Sequence, residues 1–146
     1  ATYLEQLARL LARHESVLVL DLHSYNHRRG GPGAAPDDPA ANPDINLGTG
    51  TIDRERFGTV ADLFVREMSQ VTISGAPLDV RENVKFKGGY LARWTHARFS
   101  KRVCVLSVEF KKIFMDEWTG ELDEGFFAQI KDALWRTVPA LLNTLP

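Results

Sequence analysis

Two apolar runs in this sequence each lead into side chains that can do chemistry. The first, residues 17–20, is followed by Asp21 and His23, which bring a carboxylate and an imidazole. The second starts at residue 103 and carries a single carboxylate, Glu109, near its end. A carboxylate in so apolar a run loses solvation unless it is paired or bound to a metal, and its pKa rises. A raised pKa suits a general acid or base that works near neutral pH.

Both runs are predicted to be buried strands. Parallel strands that are covered on both faces consist of successive apolar residues, and the alternation of a strand puts Asp21 and His23 on one face. Open α/β sheets bind their ligands at the carboxyl ends of the strands, where these side chains fall. The structural alternatives are a histidine that is merely hydrogen-bonded at a strand end, and a Glu109 that is paired with a nearby lysine or arginine.

Helices and strands alternate along the chain. The spacing of apolar residues predicts helices over residues 3–14, from 51 or 53 to 70, and 123–142. Strands are predicted over Val17–His23, Asp44–Leu47 and Val103–Phe110. Such alternation predicts a three-layer α/β fold, with a mostly parallel sheet and helices on both faces. Pro139 is predicted to kink or shorten the last helix.

The chain as a whole, residues 1–146, is predicted to form a single domain with one long loop. Residues 28–43 contain three glycines and four prolines, and we expect them to form a long loop on the side of the candidate site.

Four ordered blocks of the sequence resemble the N-formylglutamate amidohydrolase family, whose members are zinc hydrolases related in fold to zinc carboxypeptidases. The blocks are Asp21–Tyr25, Pro43–Thr49, Gly88–Arg93, and Val108–Phe110 followed by Phe114–Glu117. They follow the order of the family and together cover most of the chain. The resemblance implies a zinc exopeptidase-like fold, with His23 as a zinc ligand and Glu109 as the catalytic carboxylate.

The resemblance also implies an activity, the metal-dependent release of formate from N-formyl-L-glutamate, a reaction of histidine degradation. It makes Arg93 the best candidate for binding a carboxylate of this small-molecule substrate. Arg28 and Arg29 form a pair that would suit an anionic substrate through bidentate contacts, with a solvated loop as the alternative. Tyr90 projects near the site if its turn faces inward.

Two other functions stay open. Within the hydrolases, the alternative is a carboxypeptidase or a deacylase for another N-acyl amino acid. In a different class, the alternative is a non-catalytic binding or assembly module, because three or four strands are few for the sheet of the family. The two classes differ in whether His23 and Glu109 converge on one face of the sheet.

The ligands of the zinc ion are incomplete in this sequence. Family members carry their first two zinc ligands on an earlier segment, so we expect this chain to be the carboxyl-terminal part of a larger catalytic domain. The missing amino-terminal segment would supply the remaining ligands. His27 lies four residues after His23, but helical ligand spacing does not apply in a predicted loop. His96 is predicted to lie on the surface or to support the site.

Composition excludes several other functions. The 146 residues are 44% hydrophobic and 25% charged, which is typical of globular proteins. A net charge of −1 gives no reason to expect nucleic acid or an anionic membrane as a partner. The single cysteine, Cys104, excludes a disulfide scaffold and predicts a reducing, cytoplasmic location.

Overall fold

The computed structural model describes residues 2–146, in which a four-stranded sheet lies between two pairs of helices. The strands are β1 Val17–Tyr25, β2 Ile45–Gly48, β3 Thr72–Ile73, β4 Ala76–Pro77, β5 Val80–Glu82 and β6 Val103–Lys111. The helices are α1 Tyr3–Leu11, α2 Arg54–Ser69, α3 Tyr90–Phe99 and α4 Glu124–Thr144, with a short 3-10 helix at Pro39–Ala41. Strands β3 and β4 pair with each other as a separate hairpin.

The strand order of the main sheet is β1-β6-β2-β5. Strands β1 and β6, which contain the two apolar runs, are parallel neighbours. Their register runs from Val17 opposite Val103 to Tyr25 opposite Lys111. Strand β2 is antiparallel to β6 and parallel to β5. Two of the three pairings are therefore parallel, and the predicted three-layer α/β fold is confirmed, as are its three principal strands.

Alternation along β6 divides the core into two layers. Cys104, Leu106 and Val108 pack among the buried residues of α2 and α4 on one face of the sheet. Val103 and Val105 pack on the other face, with Leu7 of α1 and Ala92 of α3. The same alternation carries the later odd-numbered residues of β6, including Glu109, onto the face of α1 and α3.

The first helix ends three residues earlier than its apolar spacing predicts. Helix α1 begins at a capping box between Thr2 and Glu5 and ends at Leu11. The guanidinium group of Arg102, which precedes β6, donates to the carbonyl oxygens of Leu11 at 2.7 Å and His14 at 2.9 Å. Because these carbonyls are satisfied from outside the helix, the chain can turn at this point and enter β1.

Two other helices differ from the sequence prediction. Helix α3 was not predicted. It follows Gly88, whose φ of 107° is a backbone conformation that glycine adopts with little strain. Helix α4 continues through Pro139 to Thr144, so the prediction that the proline shortens it is wrong. None of the helices within residues 2–146 has the length and apolar character needed to cross a membrane.

Candidate active site at the ends of β1 and β6

The structure brings His23 and Glu109 together at the carboxyl ends of the two parallel strands. His23 of β1 lies directly opposite Glu109 of β6, and Asp21 lies opposite Ser107. All four are odd-numbered residues of strands whose odd positions face α1 and α3, so their side chains share that face. Side chains that are paired across neighbouring strands are within interaction distance.

Asp21 sets the orientation of the His23 ring. The Nε2 atom of His23 lies 2.9 Å from Oδ1 of Asp21, whose side chain is 12% exposed while that of His23 is 49% exposed. Ser107 donates its hydroxyl to the other carboxylate oxygen of Asp21 at 3.4 Å. With Nε2 turned toward the carboxylate, Nδ1 is the ring nitrogen left for another partner, as in carboxylate–histidine–metal arrangements.

Glu109 combines partial burial with two nearby ionisable groups. Burial raises the pKa of the Glu109 carboxyl, a charged His23 opposes this shift, and the negative charge of Asp21 adds to the rise. A carboxylate whose pKa is raised toward neutrality is a better proton acceptor than an exposed one. The raised pKa expected for a lone glutamate in an apolar strand therefore agrees with the surroundings of Glu109.

The floor of the site depends on a close approach between β2 and the segment before α3. Gly48, at the end of β2, pairs with Ser107, and a Cβ added to Gly48 would lie 2.6 Å from the backbone nitrogen of Gly88. The Asn46 side chain fastens the same segment, since it donates to the Phe86 carbonyl at 2.8 Å. The segment thereby brings the start of α3 to the face that carries Glu109.

Tyr90 and Arg93 both lie in the first turn of α3. Arg93 donates from Nη1 to the Gly88 carbonyl at 3.2 Å, and Tyr90 is 73% exposed. Within residues 2–146, neither side chain is hydrogen-bonded to His23 or Glu109. Their roles in substrate binding therefore stay predictions.

Arg28 and Arg29 lie beyond the end of β1, whereas Arg93 lies on α3. Arg28 lines a cavity of about 300 Å³ together with His27 and Glu117. Arg29 is exposed in the connection 28–43, whose only regular element is the 3-10 helix. The four candidate substrate residues thus lie on two segments, α3 and the connection 28–43, and their predicted role is untested.

His96 is buried inside the protein instead of lying on its surface. Its Nε2 atom accepts the backbone N–H of Val105 at 3.0 Å, so its proton lies on Nδ1, which donates to the Thr51 hydroxyl at 2.8 Å. Burial lowers the pKa of this histidine. His96 is therefore a neutral side chain that joins α3 to β6. Its partner Val105 lies beyond the residues of β6 that pair with β2.

Ser107 is the site residue that the sequence patterns do not single out. Ser107 lies two residues before Glu109, so alternation alone places it on the same face. Its contact with Asp21 depends on the register between β1 and β6, which the sequence of either strand leaves open. The register is a property of the assembled sheet.

The described residues do not complete a metal site by themselves. Within residues 2–146 there is no group of three histidine, cysteine, aspartate or glutamate side chains arranged to hold a metal ion. His23 fits as one ligand, because its Nδ1 atom is directed away from Asp21 and its ring is half exposed. A tetrahedral zinc site of the catalytic kind needs three protein ligands.

The fold and the site define a class of protein: a three-layer α/β protein with an oriented imidazole and a partly buried glutamate at the ends of adjacent parallel strands. Within that class, the sequence model of the N-formylglutamate amidohydrolase family matches residues 1–115, and the chain belongs to this family. The expected family membership is thereby confirmed.

A solved structure of similar fold agrees with this assignment. The crystal structure of N-formylglutamate amidohydrolase from Ralstonia eutropha JMP134 has a TM-score of 0.68 to this chain, at 22% sequence identity. The similarity covers 97% of this chain but 49% of the Ralstonia chain, so this chain spans about half the length of that protein. The comparison with curated proteins gave no match.

Proposed function

We propose that the protein containing this chain hydrolyses N-formyl-L-glutamate to formate and L-glutamate. The observation that carries the proposal is the placement of His23 directly opposite Glu109, on one face of the sheet and with Asp21 against the imidazole. Convergence of these side chains favours an enzyme over a non-catalytic binding module. Family membership supports the choice of an amide of formate as the bond that is cleaved.

Zinc is the cofactor that suits this residue set. His23 would hold it through Nδ1, with Asp21 fixing the ring, and the other ligands would come from polypeptide outside residues 1–146. A bound zinc ion lowers the pKa of its water and polarises a carbonyl group.

Glu109 is the proton carrier of the proposed reaction. It takes a proton from the water as the water oxygen bonds to the formyl carbon. It then gives this proton to the amide nitrogen as the carbon–nitrogen bond breaks, which releases formate and the amine of glutamate. The raised pKa of Glu109 serves both steps, because the group must accept a proton and then release it near neutral pH.

We propose that four side chains bind the two carboxylates of the substrate. Arg93 and Tyr90 would approach from α3, and Arg28 and Arg29 from the loop that follows β1. Arginine suits this role because its guanidinium group binds a carboxylate through two parallel hydrogen bonds. The bond from Arg93 to Gly88 uses one guanidinium nitrogen and leaves the others for a ligand.

The free edge of β1 is the surface on which we propose that the ligand-bearing segment docks. Within the described sheet, β1 has β6 as its one neighbour, and Leu22 near its end is 53% exposed. A cavity of about 590 Å³ flanks the start of the strand, and one of about 410 Å³ flanks its end. An unpaired edge with apolar flanks readily accepts a further strand, and ligands on that strand would lie beside His23.

We also propose a cytoplasmic location, which rests on Cys104. This thiol is buried in β6 and unpaired, and burial raises its pKa to about 12. A thiol held in its protonated form is unreactive and takes the part of a small apolar core residue. A lone core cysteine of this kind is typical of proteins from reducing compartments.

The test is substrate hydrolysis by the full-length protein loaded with zinc. Formate and free amino acid would be measured with N-formyl-L-glutamate, N-acetyl-L-glutamate, N-formyl-L-leucine and a dipeptide that ends in glutamate. We expect N-formyl-L-glutamate to be turned over fastest. Preference for the dipeptide would indicate a carboxypeptidase, preference for the acetyl compound another deacylase, and absence of any turnover would contradict the proposal.

A further inference from the structure

We propose that Glu117 is a positioning residue, which holds the chain after β1 so that His23 keeps its place relative to Glu109. The inference rests on the proposed function, in which these two residues act together. Glu117 itself lies in the loop after β6, eight residues beyond Glu109, and it reaches back to the other strand of the site.

The carboxylate of Glu117 is committed to the backbone that follows His23. Its side chain is 1% exposed, and its two oxygens accept the backbone N–H groups of His27, at 2.8 Å, and of Arg28. Hydrogen bonds to an ionised acceptor are about twice as strong as those between neutral groups. The carboxylate itself is shielded from water, whereas Arg28, whose backbone it holds, lies at the surface.

The neighbouring imidazole does not compete for this carboxylate. The Nδ1 atom of His27 lies 3.5 Å from Glu117 and has no hydrogen-bond partner among the described residues. Burial lowers the pKa of His27, against the opposite influence of Glu117. His27 Nδ1 thus makes no hydrogen bond to Glu117, and the bonds of the carboxylate to this segment are those from the two backbone N–H groups.

A turn next to Glu117 keeps its side chain directed inward. Asp116 accepts the backbone N–H groups of Trp118 at 2.9 Å and Thr119 at 2.7 Å. The Asp116 backbone nitrogen in turn donates to the carbonyl of Glu121 at 2.8 Å. These bonds close the loop on itself and restrict the backbone on both sides of Glu117.

The end of β1 is held by strand pairing and by its last residue, Tyr25, whose hydroxyl donates to the Pro43 carbonyl. Its last bond to the β6 segment runs from the backbone nitrogen of Lys112 to the carbonyl of Tyr25. Beyond that point, the Asp37 backbone nitrogen donates to the His27 carbonyl, and Glu117 holds the two N–H groups. Because β1 is the edge strand of the described sheet, loss of Glu117 would release the backbone at His27 and Arg28 from the loop after β6.

The experiment compares Glu117→Gln and Glu117→Asp with Glu121→Gln in the full-length protein. Glu121 is an exposed residue of the same loop, which makes it a matched control. Three quantities would be measured: amide hydrogen exchange over residues 23–28, the NMR signals of the His23 ring without metal, and zinc affinity together with kcat and KM.

We expect Glu117→Gln to speed exchange at His27 and Arg28 and to shift or broaden the His23 ring signals. Zinc affinity and kcat should each fall about tenfold or more, as for other groups that orient metal ligands, while KM changes little. Glu117→Asp should lose less zinc affinity and kcat than Glu117→Gln. Glu121→Gln should match the wild-type protein in all three measurements.

Faster exchange with unchanged His23 signals would overturn the proposal, because Glu117 would then fasten the loop without positioning the site. Unchanged exchange would overturn it as well. If the wild-type protein fails to hydrolyse N-formyl-L-glutamate, the proposed function is wrong. Amide hydrogen exchange and the His23 ring signals still decide whether Glu117 positions the site.

Discussion

At the scale of single residues, the contact between Asp21 and His23 decides how the imidazole can be used. The contact occupies Nε2, and the Ser107 hydroxyl holds the carboxylate from the other strand. An imidazole fixed in this way presents Nδ1 in one direction without further loss of side-chain entropy. The site is therefore ordered on this side before any ligand arrives.

Glu109 can be tested separately from metal binding. In the zinc-loaded full-length protein, we expect Glu109→Gln to keep its zinc but to lose at least about 100-fold in kcat, because the amide cannot carry the proton. Asp132→Asn removes an exposed carboxylate on α4 and should leave kcat unchanged. Near-normal turnover by Glu109→Gln would show that the glutamate is structural.

The ionisation of Glu109 offers a second test, which needs no metal and no substrate. In the metal-free protein, we expect the side-chain carbon signal of Glu109 to titrate with a pKa above the ordinary glutamate value, because burial disfavours its charged form. Asp21→Asn should lower this pKa, since it removes a negative charge. His23→Gln should raise it, since it removes a group that is positive when protonated.

The same shift fixes the sign of the effect on stability. The folded protein binds the Glu109 proton more tightly than the unfolded chain, so this group lowers the free energy of unfolding as pH rises from the ordinary glutamate pKa to the raised one. The loss is complete above the pKa that Glu109 has in the folded protein.

The titration test has a clear contrary outcome. If Asp21→Asn and His23→Gln shifted the pKa of Glu109 in the same direction, the electrostatic description of the site would be wrong.

At the scale of elements, the close approach of β2 to the segment before α3 can be tested with one methyl group. Gly48→Ala would place a Cβ 2.6 Å from the Gly88 nitrogen, and forced shifts of this kind cost roughly 1–3 kcal/mol. Gly33→Ala is the control, because nothing lies within 4 Å of the added Cβ. The urea midpoint should fall for Gly48→Ala alone, and equal midpoints would contradict the packing described.

The strands were easier to predict than the helices that lie between them. Strand β6 is buried on both faces and β1 begins with four apolar residues, and such runs predict strands without any other signal. Helix α3 was missed because just three of its residues are buried, which leaves a weak periodic pattern. The end of α1 was misplaced because it depends on Arg102, which lies 91 residues beyond Leu11 in the chain.

The candidate site was predicted in part for the same reason. Its two principal residues are polar groups in apolar runs, which a sequence shows directly. The contact of Asp21 with Ser107 and the reach of Glu117 to the backbone of His27 join distant segments. Such contacts follow from strand order and register, which no local pattern encodes.

At the scale of the whole molecule, the open edge of β1 has the greatest consequence. Unpaired N–H and C=O groups on an edge strand attract other strands, and natural proteins usually protect them. Here the last part of the edge is flanked by an exposed Leu22 and by an apolar cavity whose walls include Phe114, Phe127 and Leu134. Such an apolar surface beside a free edge is more stable when another strand covers it than when it faces solvent.

Zinc content tests whether residues 1–146 suffice for the metal site. We expect this chain alone to bind zinc weakly or not at all, because within residues 2–146 no three ligating side chains converge and a catalytic zinc site needs three. The full-length protein should hold one equivalent, since each added ligand contributes to metal affinity. Both proteins would be dialysed against a weak chelator and their zinc measured by mass spectrometry.

Two variants make this comparison decisive. His23→Gln should abolish zinc binding by the full-length protein, whereas His14→Gln, which alters an exposed histidine beyond the end of α1, should leave the zinc in place. One tightly held equivalent on residues 1–146 alone would show that the ligands are complete within this chain. The edge of β1 would then have no part in supplying ligands, and the proposed docking of a ligand-bearing strand would be wrong.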